Sequence, residues 1–261
     1  MENKYIIFDT HAHYDDEAFD EDRELLLKEL KENNVIGILN CASSYESIEK
    51  TNKLTLDNDF IYGALGIHPE NANEFNDDVE KEIVELIKKN EKIIAIGEIG
   101  LDYYWEENPS KEVQKKVFRE QMRLAETLRL PVVIHDRDAH GDTLEIMKEF
   151  PNVKGIVHCF SGSTEFAVEC IKLGYYIGIG GVVTFKNAKK VVEVVKQIPL
   201  ESILVETDAP YMAPTPNRGK RNKSDYIAYI IEQIAQIKDL NPKEVNLAVN
   251  ENFKRLIGKA I

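Results

Sequence analysis

Short apolar runs alternate along the chain with longer stretches in which apolar residues recur every three or four positions. Most of the short runs are rich in β-branched residues and apolar on both faces, which is typical of parallel strands covered by helices. We therefore predict eight strands, at residues 5–9, 35–40, 60–65, 93–98, 132–135, 154–158, 175–179 and 202–206.

The longer stretches have the spacing of amphipathic helices, with an apolar stripe on one side. Eight helices are predicted to follow the strands, at residues 22–32, 44–56, 77–89, 113–128, 142–149, 164–173, 188–197 and 225–238, and one more at 242–257. Strict alternation indicates a parallel α/β fold, and eight repeats favour a closed barrel over an open sheet. The expected fold class is α/β: a single (β/α)8 TIM barrel domain over residues 1–261 with an extra C-terminal helix.

The composition agrees with one large core. The chain has 261 residues, of which 43% are apolar and 30% are charged, and this length is usual for such a barrel. Its three cysteines form no CxxC pair, which fits a reducing compartment better than a disulfide framework. The chain has no signal-peptide pattern and no apolar run of about 18 residues. We therefore expect a cytoplasmic protein with no membrane partner, and leave its oligomeric state open.

The net charge of −13 argues against binding nucleic acid through the overall field of the protein. One loop is an exception, because Arg218, Lys220, Arg221 and Lys223 fall within six residues. Such a loop is either an ordinary solvated surface or a local contact to a polyanion.

Five of the six histidines fall at or just beyond the C-terminal end of a predicted strand: His11, His13, His68, His135 and His158. These strand ends converge on one face of a barrel, where active sites are found. Any one of these histidines could have a purely structural role, but chance alone is a poor explanation for five histidines at strand ends. His11 and His13 lie two residues apart, so that both imidazoles can approach one ion from the same side. The sixth, His140, lies in a loop or at a helix start.

Two carboxylates accompany the histidines. Glu98 ends an apolar strand and Asp208 follows the last one, where a carboxylate is costly unless it is ion-paired or metal-bound. Imidazole and carboxylate together suit Zn, Mn, Ni or Fe, and carboxylate-rich sites also suit Mg. Glu206 either orients an imidazole or forms an ion pair within the barrel. Cys159 is interpreted as a small packed residue.

At these residues the chain resembles the TatD family of metal-dependent deoxyribonucleases, within the amidohydrolase-like barrels. The matching segments are DTHAH (9–13), GIHPE (66–70), GEIGLDYY (97–104), QMRLAETLRLPVVIHDRDA (121–139), HCFSGS (158–163) and ETDAPYMAP (206–214). They occur in the family's order and span nearly the whole chain.

The resemblance implies two divalent ions per chain, of Mg, Zn, Mn or a similar metal. One ion would be held by His11, His13, Glu98 and Asp208. The second would be held by His135 and His158, with Glu98 bridging the two ions.

The resemblance also suggests residues that contact substrate phosphates: His68, Arg137, Arg218 and Arg221. The basic loop reads RGKRNKS where relatives often read RGKRNEP, so that Lys223 and Ser224 replace Glu-Pro. His135 is followed by Asp136, where Ser or Cys is common, and we expect little effect from this difference.

The reaction that fits is hydrolysis of DNA phosphodiester bonds by a metal-activated water, with Glu98 as the bridge and Asp208 as the acceptor of the water's proton. Tyr103, Tyr104 and Trp105 either stack on a base or pack at the barrel rim. The alternative activity is that of a D-aminoacyl-tRNA deacylase, or another amide or ester hydrolase using the same two ions. A catalytically silent binding module is disfavoured, because such a module has no need of all six ligands.

Overall fold

The computed structural model describes residues 4–258 and contains eight strands in one sheet, close to those predicted. The strands are β1 (Ile7–Ala12), β2 (Val35–Cys41), β3 (Ile61–Leu65), β4 (Ile93–Asp102), β5 (Val132–Arg137), β6 (Gly155–Val157), β7 (Tyr175–Ile179) and β8 (Ile203–Val205). They follow one another around the sheet in chain order, and every neighbouring pair is parallel.

Helices surround this sheet and alternate with its strands. They are α1 (Arg23–Glu32), α2 (Tyr45–Asp57), α3 (Asp77–Lys89), α4 (Lys111–Leu128), α5 (His140–Glu149), α6 (Thr164–Lys172), α7 (Lys189–Gln197), α8 (Ile227–Lys238) and α9 (Pro242–Ile257). Serine caps fix where several of them begin, since Ser44, Ser110 and Ser163 each accept a hydrogen bond from a backbone N–H of the first turn. Within residues 4–258 no helix combines the length and apolar character needed to cross a membrane.

The sheet nearly closes on itself between β1 and the segment after β8. Ala12 pairs in parallel with Ala209, and the N–H of His13 donates to the carbonyl of Ala209 over 2.8 Å. The N–H of Asp208 donates in turn to the carbonyl of His11 over 3.0 Å. These bonds confirm the predicted barrel, and they bring residues about 200 positions apart in sequence to one point.

Strand β5 extends two residues beyond its hydrophobic run, and β1 and β4 extend three or more. Strand β1 continues past Asp9 to Ala12, and β4 continues past Glu98 to Asp102. The predicted ends at residues 9 and 98 were therefore wrong. Polar residues belong to these strands because the barrel supplies partners for them, so that His11 and Glu98 lie within strands rather than at their ends.

Helix α9 packs across the N-terminal end of the barrel. The ring of Phe253 lies 4.2 Å from that of Phe8, centroid to centroid. The buried cluster around this pair is drawn from six other strands: Leu39, Ala64, Ile94, Val133, Ile156 and Leu204. Since this end is filled with apolar side chains, the polar residues of the barrel gather at the opposite end.

Replacing Phe253 with alanine is expected to destabilise the fold by about 3–5 kcal/mol, because it removes a buried ring and leaves a cavity between α9 and the strands. Urea unfolding followed by circular dichroism measures this change. Leu247→Ala is the control, because Leu247 is exposed on the same helix. Equal stability of the two variants would contradict the packing role of α9.

Candidate metal centre

Glu98 lies at the centre of a group of histidines and is only 3% exposed. One carboxylate oxygen, Oε2, is 3.4 Å from Nε2 of His11 and 3.4 Å from Nε2 of His13. The other oxygen, Oε1, is 2.9 Å from Nδ1 of His135 and 2.6 Å from Nε2 of His158. The two oxygens of one carboxylate therefore face two different pairs of imidazoles.

Asp208 completes the first of these groups. Its Oδ1 lies 3.6 Å from Nε2 of His11 and 3.5 Å from Nε2 of His13. The two Nε2 atoms are themselves 3.0 Å apart. Nδ1 of His13 lies 2.8 Å from the carbonyl oxygen of Cys41, which can only accept, so that Nδ1 carries the proton and Nε2 of the neutral ring presents a lone pair.

The donor set and its spacing fit a divalent cation. Ligands about 2.0–2.1 Å from a tetrahedrally bound Zn²⁺ lie roughly 3.3 Å from one another, close to the observed separations. The groups with converging donor atoms are His11, His13 and Glu98; His11, His158 and Asp208; and His68, Glu98 and His135. The structure thus brings together all six residues predicted as ligands, in an arrangement that could hold metal.

The charges of the cluster also favour a cation. Burial by itself would raise the pKa of Glu98, but the imidazoles of His158, His11 and His68 hold that pKa well below its ordinary value. Burial would likewise lower the pKa of His13, but hydrogen bonds to Asp208 and Glu98 raise it well above the ordinary value. The carboxylates are therefore ionised, and protons compete with metal cations for the same imidazole nitrogens.

His68 faces the cluster as a hydrogen-bond donor. Its Nδ1 accepts from the N–H of Glu70 over 3.2 Å, so the proton of the neutral ring is on Nε2, which lies 3.7 Å from Oε1 of Glu98. Burial, and then the neighbouring His135, lower the pKa of His68 to about 3. The ring is therefore neutral at pH 7 and directs an N–H into the site.

Two carboxylates stand behind the imidazoles. Glu206 is fully buried, accepts a short hydrogen bond from the N–H of Cys159, and has Oε1 3.6 Å from Nδ1 of His158. At this distance Glu206 is within ion-pair range of His158 but forms no hydrogen bond with the ring, whose Nδ1 has no hydrogen-bond partner within residues 4–258. Asp102 has Oδ2 3.1 Å from Nε2 of His135. Asp102 was not predicted as a site residue because the predicted strand ended at Glu98. Residues 98, 100 and 102 alternate along β4, and continuing this alternation past Glu98 points to Asp102.

A further buried carboxylate, Asp9, ties the site to the basic loop. Its Oδ2 accepts from the hydroxyls of Thr207 and Ser224, each over 2.6 Å, and its Oδ1 accepts from the N–H of Thr207 over 3.0 Å. Burial raises the pKa of Asp9 to about 7. Ser224 of the basic loop therefore has a defined partner, the same carboxylate that Thr207 contacts.

A cavity of about 410 Å³ opens above the cluster. The segments after β1, β2 and β3 contribute five carboxylates to its lining, namely Asp15, Asp16, Glu17, Glu46 and Glu70, and one cation, Lys50, which pairs with Glu46 over 2.8 Å. Trp105 on the loop after β4 and Arg137 at the end of β5 also line the cavity. The cavity is therefore mostly acidic on the side of β1, β2 and β3, and basic and aromatic at the ends of β4 and β5.

Arg137 is held by aromatic rings rather than by a carboxylate. Its guanidinium lies 3.8 Å from the ring centre of Tyr104 and 5.4 Å from that of Trp105, and both rings are about half exposed. The arginine ion pairs among residues 4–258 are those of Arg23, Arg119 and Arg221. Arg137 thus keeps its hydrogen-bond donors for a ligand.

Tyr103 and the basic loop have other contacts. The Tyr103 hydroxyl donates to Asp142 over 2.7 Å, so this ring packs at the rim. Arg221 forms a two-pronged ion pair with Asp22, and Arg218 lies 4.4 Å from the ring centre of Phe185.

Of the predicted substrate contacts, His68 and Arg137 line the cavity, whereas the basic loop does not. Asp136 accepts from the hydroxyl of Thr143 and pairs with His140 over 2.6 Å. Both partners are on α5, so this carboxylate faces the helix rather than the site.

Comparisons with known proteins identify the family of this chain. A family model described as TatD related DNase matches residues 8–258. The chain is 45% identical to the uncharacterised metal-dependent hydrolase YabD of Bacillus subtilis, over 96% of this chain and 98% of that one. It is 33% identical to the uncharacterised metal-dependent hydrolase YcfH of Escherichia coli K12, over 96% and 95% of the two chains.

A solved structure gives the same result. The crystal structure of YjjV, a TatD homologue from Escherichia coli K12, superposes with a TM-score of 0.90 at 31% identity, covering 97% of this chain and 98% of that one. The match therefore extends over nearly the whole length of both chains. This chain belongs to the TatD family of metal-dependent hydrolases.

Proposed function

We propose that this protein hydrolyses DNA phosphodiester bonds with two divalent ions held in the candidate metal centre. The observation that carries the proposal is the position of Glu98, whose two carboxylate oxygens face two separate sets of imidazoles. The family model's description as a DNase supports the choice of substrate.

The residues divide between the two ions according to which oxygen of Glu98 they face. Those facing Oε2 would hold the first ion: His11, His13 and Asp208. Those facing Oε1 would hold the second: His135 and His158. Such ions supply Lewis acidity at the phosphoryl oxygen and lower the pKa of a water molecule.

The side chains around the ions have separate tasks. Burial would raise the pKa of Asp208, but His13 and His11 hold it below its ordinary value, so that Asp208 is ionised and able to accept a proton from the attacking water. The Nε2–H of His68 donates to a phosphoryl oxygen, and this donor strengthens as negative charge develops there. The two residues reach the site from different strand ends, since Asp208 follows β8 and His68 follows β3.

The cavity lining determines how an anionic strand approaches. Carboxylates on the side of β1, β2 and β3 repel a phosphate backbone, because the one lysine among them, Lys50, is already paired with Glu46. Arg137 attracts the backbone with charge-assisted hydrogen bonds. Tyr104 and Trp105 offer exposed rings on which a base stacks. We therefore place the strand along the loops after β4 and β5. This local arrangement allows a protein of net charge −13 to hold DNA. Arg218 and Arg221 remain predicted contacts for parts of a longer strand outside the cavity.

An activity assay on two classes of substrate tests the proposal. The protein is reconstituted with Mg²⁺, Mn²⁺ or Zn²⁺ and incubated with end-labelled single- and double-stranded DNA and, in parallel, with a D-aminoacyl-tRNA. We expect metal-dependent shortening of DNA that a chelator abolishes. Deacylation without DNA cleavage would assign the alternative activity to the same site. Absence of both reactions in protein that binds two ions would contradict the proposed function.

Arg137→Ala is expected to raise KM for DNA by about 10- to 100-fold while changing kcat much less, because a hydrogen bond to a charged group contributes about 1.5–3 kcal/mol and this one lies away from the reacting atoms. Steady-state kinetics on a short labelled strand measures both constants. Arg123→Ala is the matched control, since it removes the same charge from an exposed position on α4. A similar KM for the two variants would contradict the assignment of Arg137.

A further inference from the structure

Asp102 ends strand β4 beside one of the proposed ligands. The strand register places Gly100 opposite His135 and Asp102 opposite Arg137. Gly100 has φ +142°, and a Cβ at this residue would overlap the carbonyl oxygen of His135. Because glycine permits this close approach, Oδ2 of Asp102 comes within 3.1 Å of Nε2 of His135.

The carboxylate of Asp102 is held firmly in this orientation. Its Oδ1 accepts from the N–H of Tyr104 over 2.9 Å. Its own backbone N–H donates to Oε1 of Gln114 over 2.9 Å, and its carbonyl accepts from Nε2 of Gln114 over 3.0 Å. Gln114 is buried on α4. Asp102 therefore presents one defined oxygen to His135 and has little freedom to turn away.

His135 enters the cluster with a different nitrogen from its neighbours. His11, His13 and His158 direct Nε2 towards Glu98. His135 directs Nδ1, which lies 2.9 Å from Oε1 of Glu98 and 3.2 Å from Nε2 of His158. A neutral imidazole has one N–H and one lone pair, so Nδ1 is able to bind a cation only when the proton is on Nε2.

We propose that Asp102 is a positioning residue that selects the metal-binding tautomer of His135. The carboxylate accepts the Nε2–H, so that the lone pair is on Nδ1 and faces the second ion. This inference rests on the proposed two-ion site but not on the identity of the substrate. Residues of this kind typically contribute 10- to 100-fold to metal affinity or activity.

The isosteric variant Asp102→Asn is the sharpest probe, because it reverses the direction of one hydrogen bond. The N–H of Tyr104 still needs an acceptor, so the amide oxygen stays at the Oδ1 position and the NH₂ group faces His135. This group donates to Nε2, and the ring proton moves to Nδ1, where it blocks the cation. Asp102→Ala leaves room for water, which accepts as readily as it donates. We therefore expect asparagine to be more damaging than alanine.

Calorimetric titration of the metal-free proteins with Zn²⁺ tests this order. We expect wild type to bind two ions, Asp102→Asn to bind the second more weakly by about 100-fold or more, and Asp102→Ala to lose about tenfold. The first ion should keep its affinity in both variants. Asp142→Asn is the control, because it removes an equivalent charge from a carboxylate that contacts the Tyr103 hydroxyl and Lys115. This variant should titrate like wild type.

Several outcomes would overturn the proposal. Tautomer selection by Asp102 would be contradicted if Asp102→Asn and Asp102→Ala bound the second ion equally well. It would also be contradicted if both variants bound that ion as tightly as wild type. A single ion in wild type would refute the two-ion site and the role of Asp102 with it. Nitrogen-15 NMR of zinc-loaded wild type needs no variant to fold: a protonated Nε2 in His135 is expected, and a protonated Nδ1 would overturn the inference.

Discussion

Replacing Glu98 with glutamine is expected to reduce metal-dependent hydrolysis by about a thousandfold or more, because loss of metal catalysis removes several kcal/mol of transition-state stabilisation. Both oxygens of Glu98 are engaged, one with His11 and His13 and the other with His135 and His158. A neutral amide at this point weakens both proposed ions together. The number of ions bound should therefore fall from two towards none at a concentration that saturates wild type.

Glutamine is preferred to alanine for this test because it preserves the volume at the centre of five packed imidazoles. Elemental analysis after dialysis gives the metal content, and a thermal melt followed by circular dichroism gives the stability. Glu91→Gln is the control, since Glu91 is exposed just before the opposite end of β4. Near-wild-type turnover in Glu98→Gln, with both ions retained, would show that Glu98 is not the bridge.

The sequence predicted the barrel and the position of the centre for one physical reason. Parallel strands buried on both faces leave a strong apolar signal, and their C-terminal ends converge wherever the barrel closes. His11, His13 and Asp208 could therefore be assigned to one place although closure between β1 and the segment after β8 joins distant parts of the chain. The resemblance to the family motifs supplied the further prediction that these ligands are divided between two ions.

The strand ends, the role of Asp102 and the partner of Arg221 depend on tertiary contacts, which the sequence pattern does not show. The strand ends at Asp9 and Glu98 were misplaced because a polar residue interrupts a hydrophobic run whether or not the barrel satisfies it. Asp102 was missed for the same reason. The partner of Arg221 is Asp22, 199 residues away, so only the folded chain shows that this cation is already paired.

Asp208→Asn is expected to lower kcat by about 10²- to 10⁴-fold, the usual contribution of a general base, while leaving KM for DNA nearly unchanged. The substrate contacts proposed for Arg137 and Trp105 lie on other loops and are not altered. In the proposed division of ligands, Asp208 belongs to the first ion, with His11 and His13. The metal content should therefore fall from two ions to about one, which distinguishes this variant from Glu98→Gln.

The backbone at Asp208 is expected to tolerate this change. Its φ of 57° is left-handed, a conformation that asparagine adopts as readily as aspartate, and its N–H bond to the carbonyl of His11 does not involve the side chain. Kinetics and metal analysis on the same preparation are compared with those of Asp77→Asn, an exposed control at the start of α3. Two retained ions with undiminished kcat would remove Asp208 from both of its proposed tasks. Two retained ions with a low kcat would keep it as the proton acceptor alone, because the amide oxygen still offers a lone pair to a cation but cannot take up a proton at neutral pH.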